Sequence, residues 1–354
     1  MSADDATQKL CEAVRHASDT GQPIQICGNH SKAFYGPIGN GQPVSSKELT
    51  GIIEYEPSEL YITAGSGTLL TDLEETLARD NQMLPFDPPH YGKYATVGGT
   101  VACGLSGPRR PYAFAMRDCI LGTRIINGLG EHLKFGGQVV KNVAGYDVSR
   151  VMCGAMGTLG MITEVSFKTV PKPENEITLT YECSAPQALT TMHTHMQSLV
   201  PVSASYFEKG ILYIRLSGID KVLQKLKSSL GGEELDNSTE FWHSVREHQR
   251  DFFKSDKNLW RCIVPVDSTP ASINGESVIE WNGGLRWYSS NDDADSVMQA
   301  SKVTGGHATL FKTTSSASQR FTEPATALKK LHLNLKKAFD PDNILNPGRM
   351  YPWL

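Results

Sequence analysis

Apolar positions recur at helical spacing over residues 7–20, where Leu10, Ala13, Val14 and Ala17 share one face. Pro23–Cys27 then reads as a strand and Gly28–Gly36 (GNHSKAFYG) as a glycine-bounded loop. A strand is predicted at Glu59–Ala64 and a helix over about 69–80, followed by a turn-rich stretch from Met83 to Pro111. Cys119–Ile126 reads as a strand that turns back through Asn127–Gly130 (NGLG) onto His132–Phe135. Ser149–Cys153 predicts one helical turn, and Gly160–Thr169 alternates as a half-buried strand does. Pro171 and Pro173 punctuate the chain, and a domain boundary is placed there.

Beyond the boundary the pattern changes. Strands at Ile177–Cys183, Val202–Phe207 and Ile211–Leu216, with helices at Pro186–Leu199 and Lys221–Leu230, give a β-α-β-β-α order. That order resembles a split βαβ layer, with helices on one face of an antiparallel sheet. It recurs loosely in a helix at Phe241–Phe253, strands at Leu259–Val266 and Val278–Trp281, a helix at Asp293–Lys302 and a strand at His307–Lys312. Thr313–Ser318 reads as an exposed loop. A last helix, about Thr326–Phe339, carries Leu328, Leu331 and Leu335 at helical spacing and ends in DPDNILNPG, whose prolines enforce turns.

The 354 residues, 39% of them hydrophobic, suffice for two cores. A net charge of −4 gives no polyanion-binding surface and argues against nucleic acid as a partner. No apolar run approaches the length of a spanning helix, and MSADDATQKL has no apolar signal core, so a cytoplasmic location is expected. The seven cysteines (11, 27, 103, 119, 153, 183, 262) form no C-x-x-C group, and no metal site is expected of them.

Glycine changes the picture. Of 32 glycines, 13 fall in the 63 residues from Gly98 to Gly160, where sharp turns or backbone close to a ligand are implied. Gly65-Ser66-Gly67-Thr68-Leu69-Leu70 follows a strand, but Leu70 stands where a dinucleotide fingerprint needs its third glycine. No Walker-type phosphate loop occurs, and His193 and His195 lie two apart, on different faces of any helix. Two other strings of small residues fit an anion better. These are Ile26 to Lys32 (ICGNHSK) and Ala95 to Gly104 (ATVGGTVACG), whose exposed N–H groups suit a pyrophosphate. They are followed by Lys141–Asp147 (KNVAGYD) and Gly154–Glu164 (GAMGTLGMITE), the latter passing from a glycine turn into a strand.

In this order the four motifs resemble the FAD domain of the vanillyl-alcohol-oxidase-like (PCMH-type) flavoproteins, with Asn346–Gly348 similar to that family's C-terminal return. Asp87–Gly92, Ala102–Pro111 and Lys134–Gly137 narrow the resemblance to the smaller FAD-binding subunits of bacterial glycolate oxidases. The resemblance implies an α+β fold: a two-subdomain FAD-binding domain over 1–172, an α+β cap over 173–325, and a segment 326–354 returning to the first domain. It implies FAD as cofactor, with Gly28, Asn29, His30, Ser31, Lys32, Thr96, Val97, Gly98 and Gly99 around the pyrophosphate. Cys103 and Gly104 are then expected near the ribityl–flavin part, and Gly157, Gly160 and Ile162 near the adenine. His30 either donates a hydrogen bond to FAD or bonds to it covalently. Partners implied are a larger flavin subunit and an iron–sulfur subunit, with any membrane contact peripheral.

Oxidation of a 2-hydroxy acid needs a base, a cation for the carboxylate and a hydride acceptor. His307 is the candidate base, the alternative being a strand-edge histidine without a role. Arg286, Arg109 and Arg110 are the candidate clamps, since a guanidinium forks onto two oxygens; for Arg286 the alternative is a surface ion pair. After His307 come Ala308 and Thr309, where larger subunits of such oxidases have a richer histidine motif, so catalysis by this chain alone is put in question. The rival functions are a stand-alone FAD oxidase of another hydroxy or sugar acid, and a non-catalytic assembly subunit.

Overall fold

The computed structural model describes residues 3–37, 39–137, 147–314 and 319–354. Of the motif Lys141–Asp147, all but Asp147 lies outside the described residues. The chain forms two units: Met1–Leu105, Ala115–Pro171 and Ala317–Leu354 make the first, and Ser106–Phe114 with Lys172–Ser316 make the second. Arg109 and Arg110, which the sequence places in the first domain, thus belong to the second unit.

The first unit opens with α1 (Ala3–Thr20), whose Asp4 and Asp5 sit in the first turn, where the positive end of the helix favours acids. Its buried face, Cys11, Val14 and Ala17, packs with Ile24, Ile126, Met161, Ile344 and Leu345. Next come β1 (Ile24–Cys27) and β2 (Gln42–Ser45), a parallel pair, then β3 (Ile52–Glu56), β4 (Tyr61–Gly65) and α2 (Leu70–Arg79). Short β5 (Gln82–Met83) precedes α3 (Val97–Cys103) and α4 (Met116–Cys119), and β6 (Ile120–Ile126) and β7 (His132–Gly136) form the hairpin. A short α5 (Val148–Val151), β8 (Met161–Lys168) and β9 (Val170–Pro171) complete this stretch. One five-stranded sheet runs β3-β4-β8-β6-β7, every neighbouring pair antiparallel. Leu70, Leu73 and Leu77 of α2, one helical face, join Phe86, Val97, Val101, Val165 and Phe167 in its core.

Helix α3 occupies what reads as turn. Gly98 and Gly99 each cost a helix interior about 1 kcal/mol, so local propensity argues against it. A local cap and tertiary bonds override that cost: Thr96 Oγ1 caps the helix by accepting from Gly99 N at 3.2 Å, and Val97 N and Gly98 N donate to Thr68 O and Ser66 O. A Cβ at Gly98 would stand 2.7 Å from Ser66 Cβ, so glycine is what lets α3 lie against that chain.

The second unit holds β10 (Asn175–Glu182), α6 (Ala185–Met196), β11 (Val202–Glu208), β12 (Ile211–Gly218), α7 (Asp220–Leu230) and β13 (Glu233–Glu234). After these come α8 (Ser238–Arg246), β14 (Asn258–Ile263), β15 (Glu276–Glu280), β16 (Leu285–Ser290), α9 (Ala294–Val303) and β17 (His307–Lys312). The predicted helix at Phe241–Phe253 is α8 plus a separate 3-10 turn at Asp251–Lys254. Both loose repeats merge into one eight-stranded sheet, β13-β10-β12-β11-β15-β16-β14-β17, joined where β11 pairs with β15. Ile177, Leu179, Leu212, Ile214 and Leu216 pack with Ala188, Met192 and Leu223 of α6 and α7, and Ser301 of α9 meets Cys262 on that same face. Helix α8 lies on the other face, where Trp242 Nε1 donates to Thr178 Oγ1 at 2.8 Å.

The chain then returns to the first unit through α10 (Thr326–Phe339). Leu335 and Phe339 pack against the core of that unit, but Leu328 and Leu331, each 52% exposed, do not. What α10 buries deepest is a lysine, Lys336.

Candidate functional site

In the first unit, a cleft of about 290 Å³ is lined by Gly28 to Ala33, Thr96, Gly99, Ala102, Cys103, Met156, Asn346 and Arg349. A smaller cavity of about 70 Å³ shares part of that wall and adds Gly98, Gly157, Gly160 and Ile162. The loop after β1 and the start of α3 thus line the same cleft, though they are some 65 residues apart in sequence. A Cβ at Gly28 would come within 2.8 Å of Thr96 Oγ1, so the two walls approach only because residue 28 has no side chain. A Cβ at Gly99 would touch just Thr96 Oγ1, at 3.1 Å, and would fill cleft rather than core.

Two cations line the cleft. Lys32 is buried and donates from Nζ to His90 O at 3.3 Å. Arg349 donates to Pro37 O, while Arg320 holds Phe34 O at 3.1 Å. Cys103 lies in the field of both Lys32 and Arg349, yet burial pushes its thiol up from the ordinary value, so it stays protonated near neutrality. His30 is exposed at the cleft in a left-handed conformation, φ 58°.

Asn346 closes the wall from the C-terminal side. Its Oδ1 accepts from Ile26 N at 2.6 Å and its Nδ2 donates to Met156 O at 2.6 Å. One amide thereby ties β1 to the glycine turn at 156–157. Lys336 reinforces the joint, its Nζ donating to Thr158 O (2.9 Å), Leu345 O (2.8 Å) and Asp340 Oδ2 (2.6 Å).

Of the residues expected to hold FAD, Gly28 to Lys32, Thr96, Gly98, Gly99, Cys103, Gly157, Gly160 and Ile162 line these two cavities. Val97 is fully buried in the core. Gly104 takes φ 63° at the end of α3, where a Cβ would meet Gly154 Cα at 2.9 Å, so it serves a backbone crossing. Sequence reasoning missed Asn346, Met156 and Arg349. Asn346 was visible as the first residue of NPG, but Arg349 carried no signal before the tail was seen to fold back.

The clamp residues fare differently. Arg286 is no surface residue: it is 2% exposed. Its guanidinium is spent on the carbonyls of Gly283, Thr269 and Ser268, at 3.2, 2.8 and 2.6 Å. Register separates it from His307. Arg286 pairs with Cys262, and His307 with Ile263, so they stand on opposite faces of the sheet. Arg109 is buried in an ion pair with Glu176 at 2.7 Å and donates to Ser217. Arg110 lies over the ring of Trp281, 4.5 Å from its centroid. His307 opens β17 at the exposed edge of the sheet.

A cleft with glycine walls and two cations, on this α+β scaffold, fits a dinucleotide pyrophosphate. The fold is that of the PCMH-type FAD-binding oxidoreductases, and the cofactor is FAD. The FAD binding domain family matches residues 5–136. Glycolate oxidase subunit GlcE of Escherichia coli K12 is 42% identical over 98% of both chains, and this chain belongs to that family. D-lactate dehydrogenase of Anaerostipes hadrus is 29% identical over 58% of this chain and 44% of its own length. Glycolate oxidase subunit GlcD of Bacillus subtilis is 28% identical over 57% and 46%. Among solved structures, an alkyldihydroxyacetonephosphate synthase superposes with a TM-score of 0.64 at 16% identity, covering 96% of this chain and 75% of its own. That likeness is one of fold.

Proposed function

We propose that the chain is the smaller FAD-binding subunit of a glycolate oxidase complex, oxidising glycolate or a related small 2-hydroxy acid such as D-lactate to the 2-oxo acid. The observation that carries this is the end-to-end match to a glycolate oxidase subunit together with a cleft whose walls suit FAD. Bound FAD would supply a hydride acceptor. The residues of the first unit hold it: Gly28 to Lys32, Thr96, Gly98 and Gly99 at the pyrophosphate, and Gly157, Gly160 and Ile162 at the adenine. In the second unit His307 is the candidate base. Loss of solvent around its ring, then the charge of Arg261, hold it below the ordinary imidazole value, in the neutral form that accepts a proton.

Electrons leave through an iron–sulfur partner beside a larger flavin subunit, in line with GlcD among the relatives. No helix of the described residues is long and apolar enough to cross a membrane, and any membrane contact is peripheral, through those partners. The test is native purification followed by acid precipitation. Yellow protein that releases free FAD supports the cofactor reading. A coloured precipitate would instead make His30 the attachment point, and colourless protein that takes up no FAD would sink the proposal.

A further inference from the structure

We infer that Arg261, lying over the Trp281 ring, forms a carboxylate-binding site in the second unit that takes a small 2-hydroxy monocarboxylate beside His307. This rests on the hydroxy-acid reading above and supplies the cation that Arg286 does not. Arg261 lies in β14 and pairs with Thr309, while Ile263, two residues on, pairs with His307. Alternation puts Arg261 and His307 on one face as diagonal neighbours, about 7–8 Å apart at the backbone. Among the described residues, no ion pair or hydrogen bond engages the Arg261 guanidinium. It lies over the Trp281 ring, 5.2 Å from the centroid, the ring on which Arg110 lies at 4.5 Å.

A guanidinium that no carboxylate of the chain engages can take one from a ligand. The carboxyl available on this face, Glu280, accepts from Trp287 Nε1 at 2.7 Å, and burial favours its neutral form. The ring itself is held by the fold. Trp281 is buried and donates from Nε1 to Gly107 O at 3.0 Å. Trp281 and Asn282 also take successive left-handed conformations, φ 52° and 58°, a local strain that persists only where surrounding structure imposes it. A planar, forked donor free of protein partners, beside a neutral imidazole, has the chemistry that a carboxylate with an α-hydroxyl requires.

The test is a titration of the full-length chain with oxalate, which this chemistry cannot oxidise, read by calorimetry and by tryptophan fluorescence. The parent chain should bind oxalate, and chloride at equal ionic strength should not reproduce the signal. Arg261→Gln should weaken binding about ten-fold or more, the loss expected of a charge-assisted bond. Arg261→Lys should weaken it less, and circular dichroism and flavin absorbance should match the parent in both. An unchanged affinity in Arg261→Gln, no binding by the parent, or an equal response to chloride would each overturn the site. If the assembled complex oxidises glycolate with an unaltered KM in Arg261→Gln, the site fails and the function stands. If oxalate binds through Arg261 but the complex does not turn over glycolate, the site stands and the function fails.

Discussion

Glycines 99 and 160 look alike in sequence and behave differently in the fold. A side chain at Gly99 would enter the cleft with one tight neighbour, Thr96 Oγ1. Gly99→Val is therefore expected to cut FAD content about ten-fold or more while the apoprotein stays folded, read from visible flavin absorbance and far-ultraviolet dichroism. A Cβ at Gly160 would press on Ile125 Cδ1 at 2.9 Å and Ile126 O at 3.3 Å. Gly160→Val should thus destabilise the first unit by about 1–3 kcal/mol, lowering its melting temperature even without flavin. Glu280 makes a prediction about pH. Burial pushes its carboxyl up to about 7, against the Trp287 hydrogen bond and the charge of Arg261. Its unfolded value lies near the ordinary 4.5, so the folded form holds a proton that the unfolded chain has lost. Stability falls as pH rises from about 4.5 through 7. Glu280→Gln keeps an acceptor for Trp287 without the charge. It should melt higher than the parent at pH 8 and show no such advantage at pH 5; equal shifts at both would refute the assignment.

At the level of elements, the C-terminal helix has its apolar spacing and its burial out of step. Leu328 and Leu331 share a helical face with Leu335, yet only Leu335 and Phe339 meet the core. The helix is anchored by the buried pair Lys336–Asp340, whose carboxylate also accepts from Ile344 N at 3.1 Å and Leu345 N at 2.8 Å. Asp340→Ala leaves a buried ammonium and two amides without their partner. The expected cost is about 3–5 kcal/mol, a fall of about 10 °C in Tm by calorimetry. Lys336→Met should cost less, because Asp340 keeps both amide donors. A larger loss in Lys336→Met would show that the tail is held by some other contact.

For the whole molecule, the prediction concerns assembly. The proposed route passes the electrons of the reduced flavin to partner subunits rather than to oxygen. The isolated protein is expected to give little glycolate-dependent reduction of an artificial acceptor and little peroxide. Co-expression with a larger flavin subunit and an iron–sulfur subunit should restore quinone-linked turnover. Rapid peroxide formation by this chain alone would favour a stand-alone oxidase.

Hydropathy alternation and turn chemistry were enough to locate the Asn127–Gly130 hairpin, β8, β10 to β12 and α7, because each carries its own periodicity and needs no distant partner. Three of the ordered glycine motifs meet around one pair of cavities, since backbone that lines a cleft tolerates few side chains. Local pattern did not reveal α3, whose glycines are poor helix formers and are held by Ser66 and Thr68. It gave no sign of Arg349, which lines the cleft only because the tail folds back beside β1. Arg286 and Arg261 differ in one respect that composition cannot express. Strand register turns Arg286 onto the face of α6, α7 and α9 and Arg261 onto the face of His307. Which face a charged side chain occupies is settled by pairing between strands far apart in sequence, and a shift of one residue between β14 and β16 would bring both arginines to one face.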